Sequence, residues 1–238
     1  MALPRLNNET PHYELTIPST GKKAKYRPFL VKEQKNLLVA LESKDPKNIV
    51  NSVLFSIESC VEDVNASKLA TFDVDYLFTQ IRGKSVGETS KIVVPCIKCE
   101  TESTVTVNLD DIQINTKELK DNVIKLTTDI SIKMKYPTYD DMIQNEILFE
   151  SNSNNTEILF ETISTCIESV MTENDNILFK DESKEEKERF INSLTNEQLE
   201  KISLFIDSIP TLKHELKHVC SKCSHENTTV LQGIQDFF

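Results

Sequence analysis

Two pairs of cysteines constrain the fold of this 238-residue chain more than any other feature. Cys96 and Cys99 lie in VVPCIKCETESTVTV, and Cys220 and Cys223 lie in KHVCSKCSHENTTVL. Both segments run from apolar residues through Cys-x-x-Cys and a short polar stretch to Thr and Val. A CxxC turn on a β-hairpin supplies two thiolates, and a structural zinc ion takes four ligands in a tetrahedron. The pattern therefore predicts one structural Zn²⁺ per chain, bound by these four cysteines.

Other uses of these cysteines are open at this stage. One pair could be a redox pair, although neither lies in a thioredoxin-like strand–turn–helix. Both pairs could instead be reduced, metal-free and buried as small apolar residues. His214, His218 and His225 flank the second pair and could replace a cysteine or build a second site, but we expect them to be surface histidines. A site closed by four thiolates leaves no open coordination position, so it would hold the fold together and do no chemistry.

Composition and motifs exclude several function classes. The formal net charge is −11, and a surface this acidic repels phosphate backbones, so nucleic acid is not an expected partner. No stretch approaches the roughly 20 apolar residues of a membrane span, and MALPRLNNETPHYE has no apolar signal-peptide core. GxGxxG and GxxxxGK[ST] motifs do not occur. GKSVG (residues 83–87) and HELKH (residues 214–218) match the letters of GxSxG and HExxH, but the first follows a predicted helix and the second lies in a predicted strand, which are not the contexts that those motifs need. We therefore expect a cytosolic protein that contacts no membrane and is not an enzyme.

The periodicity of apolar residues predicts an α+β fold. Alternation indicates a hairpin over residues 13–29, and helical spacing follows from Val31. Asp45 and Pro46 are typical of a second helix start, and a third helix is predicted to end at Gly83 before strands that flank the first CxxC pair.

A similar order follows in the second half of the chain. Its predicted elements are strand-like residues 123–137, a helix start at 138–141, a helix over 156–171, a charge-dense helix face or insertion at 181–190, a helix capped by Thr195, and strands around the second CxxC pair.

The order of elements favours an internal duplication. KYRPFLVKEQKNLL aligns with KYPTYDDMIQNEIL, and Cys60 aligns with Cys166. The chain would then be one compact unit of two repeat-like halves, 1–112 and 113–238. Each half would contain a β-hairpin, helices and a zinc-ribbon-like CxxC hairpin, and the shared zinc would join them. A chance match between α+β segments of similar composition is the alternative.

The N-terminal half carries a family resemblance. LPRL, YELTIPSTGKKAKYRPFLVKEQKNLLVALES, FDVDYLFTQIRGKSVGE and VNLDDI occur in order, with PTYDD and GIQDFF downstream. Together they resemble the T4-type bacteriophage baseplate hub assembly proteins, the family of the gene twenty-six product. The resemblance implies a non-enzymatic phage tail protein needed to build the central hub of the baseplate.

Three roles are open, of which the resemblance implies the first two and the cysteine pattern suggests the third. The first is an assembly chaperone or scaffold that binds hub or tape-measure subunits in the host cytoplasm. The second is a permanent minor structural subunit of the virion baseplate. The third is a zinc-ribbon regulator that binds nucleic acid.

Two apolar segments are candidate partner surfaces. The first segment is LFTQIRGKSVGE, with Leu77, Phe78, Ile81, Arg82 and Lys84. Arg82 and Lys84 follow a helix that could pack Leu77, Phe78 and Ile81 inward, and the alternative is that this segment is only a helix C-terminus packed on its sheet. The second is the C-terminus, where Ile234, Phe237 and Phe238 would be costly to leave in water.

Overall fold

The computed structural model describes residues 10–109, 112–114, 122–144 and 155–232. Its elements are helices and small antiparallel sheets, which confirms the predicted α+β class. The strands are β1 (Tyr13–Thr16), β2 (Lys23–Tyr26), β3 (Thr89–Pro95), β4 (Glu102–Asn108), β5 (Gln113–Ile114), β6 (Val123–Lys125), β7 (Ser131–Met134), β8 (Ile167–Met171), β9 (Asn176–Leu178), β10 (Leu212–Val219) and β11 (Glu226–Gln232). The helices are α1 (Val31–Ser43), α2 (Pro46–Cys60), α3 (Thr71–Val86), α4 (Tyr139–Gln144), α5 (Asn155–Cys166), α6 (Lys184–Asn192) and α7 (Asn196–Asp207).

Internal packing divides the chain into two compact units. Unit 1 comprises residues 1–66, 72–115 and 211–238, and unit 2 comprises residues 67–71 and 116–210. Unit 1 therefore contains both CxxC hairpins. It takes residues from each of the repeat-like halves that the sequence predicts.

The N-terminal part of unit 1 is a hairpin followed by two helices. β1 and β2 pair antiparallel, with Tyr13 opposite Tyr26. The side chain of Asp45 accepts a hydrogen bond from the N–H of Lys47, and Pro46 is the first residue of α2. The start of α2 therefore lies where the sequence predicts it. Proline suits the first helical position because it lacks the N–H that the first turn would leave unpaired.

A buried ion pair joins α1 to the chain around it. Glu33 in α1 is fully buried, and its Oε1 lies 3.0 Å from Nη2 of Arg27. The same nitrogen donates to the carbonyl oxygen of Ser59 at 2.7 Å, and Nη1 donates to that of Pro28 at 2.9 Å. Oε2 of Glu33 accepts from the N–H of Leu30 at 2.8 Å. The two charges are thus buried together, with further hydrogen bonds on both.

Helix α3 ends later than the sequence predicts. It continues through Gly83 to Val86, so the predicted end at Gly83 is wrong. Gly87 follows with a φ of 129°, a conformation that residues with a Cβ rarely adopt. The hydroxyl of Ser85 accepts from the N–H of Phe29 at 2.7 Å, which ties the last turn of α3 to the segment before α1.

Unit 2 is built on a four-stranded antiparallel sheet in the order β6–β7–β8–β9. Thr138 and Thr195 cap α4 and α7, as predicted, and Ser183 caps the exposed, charge-dense α6. The hydrophobic core of the unit is formed by Ile132, Met134, Ile163, Cys166, Ile167, Val170, Phe179, Ile191, Ile202 and Phe205. None of the helices in the described ranges has the length and apolar character that a membrane span needs.

The helix predicted over residues 156–171 is only partly correct. α5 ends at Cys166, and the next five residues form β8, which pairs with β7 and β9. The β-branched Ile167 and Val170 favour a strand, and both are buried. A short apolar run is compatible with either a helix or a buried strand, so pairing with the neighbouring strands decides between them.

Candidate metal centre

Two β-hairpins of unit 1 carry the four cysteines. β3 pairs antiparallel with β4, and β10 pairs antiparallel with β11 and with β5. Inward-facing side chains of these strands and of the connection between β4 and β5 form one hydrophobic cluster: Ile92, Val94, Val107, Leu109, Ile112, Leu212, Leu216 and Leu231. The hairpins therefore pack on each other independently of any metal.

The CxxC turns, residues 96–101 and 220–225, have the same backbone geometry; we call them the first and second knuckle. The N–H of Cys96 donates to the carbonyl oxygen of Thr101 at 3.0 Å, and that of Cys220 donates to His225 at 2.9 Å. Glu100 and Ser224 take the left-handed conformation, with φ of 57° and 55°.

The four sulfurs form a compact group. All four Sγ atoms lie within 4.8 Å of one another. Cys96 and Cys223 are 3.6 Å apart, and so are Cys99 and Cys220, so each of these contacts joins one knuckle to the other. Four sulfurs bound to one zinc ion at about 2.3 Å would lie about 3.8 Å apart. The group is therefore close to the size of a tetrahedral thiolate site.

Hydrogen bonds of the first knuckle favour ionised sulfurs. Burial raises the pKa of the Cys96 thiol, but the backbone N–H groups of Lys98 and Cys99 outweigh it and lower the pKa. The side chain and backbone N–H of Thr101 lower the pKa of Cys99 to about 6. Backbone N–H groups thus offset part of the charge that a metal-bound thiolate carries.

The pKa of Cys223 shows why the group of four sulfurs suits a cation. The N–H of His225 lowers the pKa of Cys223, but burial and the three neighbouring sulfurs raise it to about 12. Thiolates this close repel one another, so they do not all ionise on their own. A cation among them favours the ionised form of every ligand. The four cysteines could therefore hold a metal ion.

Asn227 is a residue of the site that the sequence reasoning missed. It is buried on β11, and its Oδ1 accepts from the N–H of Ile97 in the first knuckle at 3.0 Å. Its Nδ2 donates to the carbonyl oxygen of His225 in the second knuckle at 3.0 Å. Asn227 thus bridges the two knuckles. The sequence feature that could have identified it is its position on the inward face of a strand in which inward and outward residues alternate.

Replacing Asn227 by alanine is expected to lower the free energy of unfolding by about 1–3 kcal/mol, because the N–H of Ile97 loses its partner. Urea unfolding measures this change. Ser103 occupies the equivalent position on β4, and its buried hydroxyl has no hydrogen-bond partner among the described residues. Ser103→Ala is therefore the matched control, with an expected change within about 0.5 kcal/mol. Equal losses in both variants would contradict the bridging role.

The histidines near the second pair are not in the sulfur group. Within the described ranges, the cysteines form the only cluster of three or more side chains suited to a metal. His214 and His218 point inward on β10, and both ring nitrogens of His218 are buried without a hydrogen-bond partner among the described residues.

The structure describes only one of the two candidate partner surfaces. Leu77, Phe78 and Ile81 lie in the interior of unit 1, so α3 packs these three side chains inward. Arg82 is partly buried and donates to Ser90, and Lys84 pairs with Glu88 at 2.9 Å. Ile234, Phe237 and Phe238 lie outside the described residues. Partner binding by either segment stays a prediction.

Unit 2 contains a cleft of about 970 Å³ lined by both lysines and carboxylates. Lys135 lies 2.8 Å from Asp141, and Nζ of Lys187 donates to the carbonyl oxygen of Lys180. These two lysines of the cleft thus already bind groups of the protein itself. The cleft therefore does not resemble a site for an anion.

Comparison with known families decides what kind of protein carries this centre. The sequence matches the family described as T4 bacteriophage base plate protein over residues 10–238, which is nearly the whole chain. The chain belongs to that family. This base plate protein therefore has a role in the phage baseplate, which is a part of the virion tail, and that role involves other baseplate proteins. No curated protein and no solved structure gave a significant match.

Proposed function

We propose that this base plate protein is a non-enzymatic assembly factor for the central hub of the baseplate, and that it binds hub or tape-measure subunits. The closed group of four cysteines is the observation that carries the proposal. Four thiolates fill the coordination sphere of a tetrahedral metal and leave no position for a substrate. Such a site stabilises a binding scaffold and does not activate a reactant.

We assign zinc to the site, one ion per chain. Tetrahedral sites of four sulfurs select zinc or iron. The S···S distances of 3.6 Å between the knuckles support a single ion at their centre. Zinc has no redox chemistry, which suits a purely structural role.

The two zinc-ribbon-like hairpins also support an internal duplication. The register of β3 and β4 recurs in β10 and β11: Pro95 lies opposite Glu102, and Val219 lies opposite Glu226. Both knuckles repeat the same hydrogen bonds and left-handed residue. A hairpin, helices and a CxxC hairpin occur in that order in each half, with β8, β9 and α6 as additional elements in the second. The metal then joins repeat to repeat.

Peptide mass spectrometry of purified phage particles tests the assembly role. An assembly factor is expected in infected-cell lysates, co-purifying with hub or tape-measure proteins, and absent from mature particles. A permanent subunit would instead occur in every particle in fixed ratio to other baseplate proteins. That second result would contradict the assembly role while leaving the metal site and the family untouched.

A further inference from the structure

The outward face of α1 exposes three large apolar side chains. Val31, Leu38 and Val39 are 81%, 54% and 57% exposed. The opposite face of the same helix buries Glu33 and Leu37 in unit 1. α1 therefore has two apolar faces, of which one packs inside the unit and the other is presented to solvent. Such a face indicates an interaction surface.

The charges on this face have a regular arrangement. Val31, Lys35, Leu38 and Glu42 follow one another at spacings of four, three and four residues, as the contact line of two paired helices does. Lys35 and Glu42 are about 10.5 Å apart along the axis, too far to pair within the helix. Glu42 also lies in the last turn, where a negative charge opposes the helix dipole. Contacts within α1 therefore do not account for either charge.

An antiparallel second helix of the same sequence fits this pattern. If Leu38 of one copy lies opposite Val39 of the other, then Lys35 of each copy lies opposite Glu42 of the other. A two-fold axis generates both ion pairs at once, since the same patch serves both copies. The apolar residues meet at the centre and the charges pair at the two ends. The face is therefore complementary to itself.

We propose that the outward face of α1 is a self-association surface, on which a second copy of this chain docks its own α1 antiparallel. The contact covers about three helical turns, well below the roughly 1,600 Å² of a standard stable interface. The net charge of −11 on each copy also opposes association. The dimer is therefore weak, and high local concentration at an assembling baseplate favours it.

Sedimentation velocity of the full chain, from about 1 to 300 μM, tests the proposal over the range expected for a small interface. The wild-type protein is expected to show a concentration-dependent dimer. Lys35→Glu and Glu42→Lys each place like charges opposite one another and are expected to raise the dissociation constant about tenfold or more. The double variant Lys35→Glu/Glu42→Lys restores opposite charges and is expected to return to near wild-type association.

Matched substitutions separate this surface from general apolar exposure. Leu38→Ser removes a central contact and is expected to weaken the dimer. Leu204 on α7 is also 54% exposed, so Leu204→Ser is the control and is expected to leave the dimer unchanged. Circular dichroism melts of all variants establish that they are folded. A wild-type protein that stays monomeric throughout overturns the proposal. So does a dimer that is insensitive to the single charge changes, or one that the double swap fails to restore.

Discussion

Replacing Cys220 by serine is expected to release the metal and to lower the free energy of unfolding of unit 1 by about 5 kcal/mol or more. Zinc binding contributes about 10–16 kcal/mol in small zinc-finger peptides. The loss here is smaller than that, because the hydrophobic cluster between the hairpins still holds them together. The hairpins are nevertheless left with three sulfurs that repel one another when ionised.

Zinc content and denaturant unfolding of the purified variant measure both effects. Cys60 is buried on α2, away from the four-cysteine group, so Cys60→Ala is the control for a lost cysteine. It is expected to keep its zinc and to lose only the stability that comes from a small core cavity, about 1 kcal/mol. Full zinc occupancy in Cys220→Ser, or equal destabilisation of the two variants, would show that Cys220 is not a ligand.

Replacing Glu33 by alanine is expected to lower the free energy of unfolding by about 3–5 kcal/mol, because Arg27 is then left partly buried without its counter-charge. Chemical denaturation followed by circular dichroism measures the loss. Lys32 also lies 3.3 Å from Glu33, but its side chain is mostly exposed to solvent. Lys32→Ala is therefore the matched control, and a change of less than about 1 kcal/mol is expected. Similar losses in the two variants would contradict the importance of the buried pair.

The same ion pair predicts a pH dependence. Burial raises the pKa of Glu33, but hydrogen bonds from Arg27 and from the N–H of Leu30 outweigh it and lower the pKa below its usual value. The stabilisation is therefore fully present above the unfolded pKa of about 4.3, and it is lost as the pH falls through the lower folded pKa. Glu33→Ala is expected to flatten the acid side of the stability curve. An acid limb as steep as that of the wild type would contradict this.

Local signals in the sequence were sufficient for the cysteine group and most elements. The CxxC spacing identified all four members of the group, since the pattern of the turn determines where its two sulfurs lie. Asp45, Thr138 and Thr195 marked helix starts correctly, because capping depends on residues three positions away at most.

Features that have no motif in their own residues could not be predicted. The strand β8 was mistaken for the end of a helix, because its pairing with β7 and β9 is not visible in its own residues. Asn227 looked like an ordinary strand residue, and its contact with Ile97 spans 130 positions. The inward packing of Leu77, Phe78 and Ile81 was left open for the same reason: an apolar helix stripe does not show which surface covers it.

The metal content of the purified wild-type protein tests the central claim most directly. After dialysis against metal-free buffer, atomic emission is expected to find about one zinc ion per chain, as a structural site binds its metal nearly stoichiometrically. X-ray absorption is expected to show four sulfur ligands at about 2.3 Å. Less than about half a zinc ion per chain, together with four freely reactive thiols in the folded protein, would contradict a structural site of this kind.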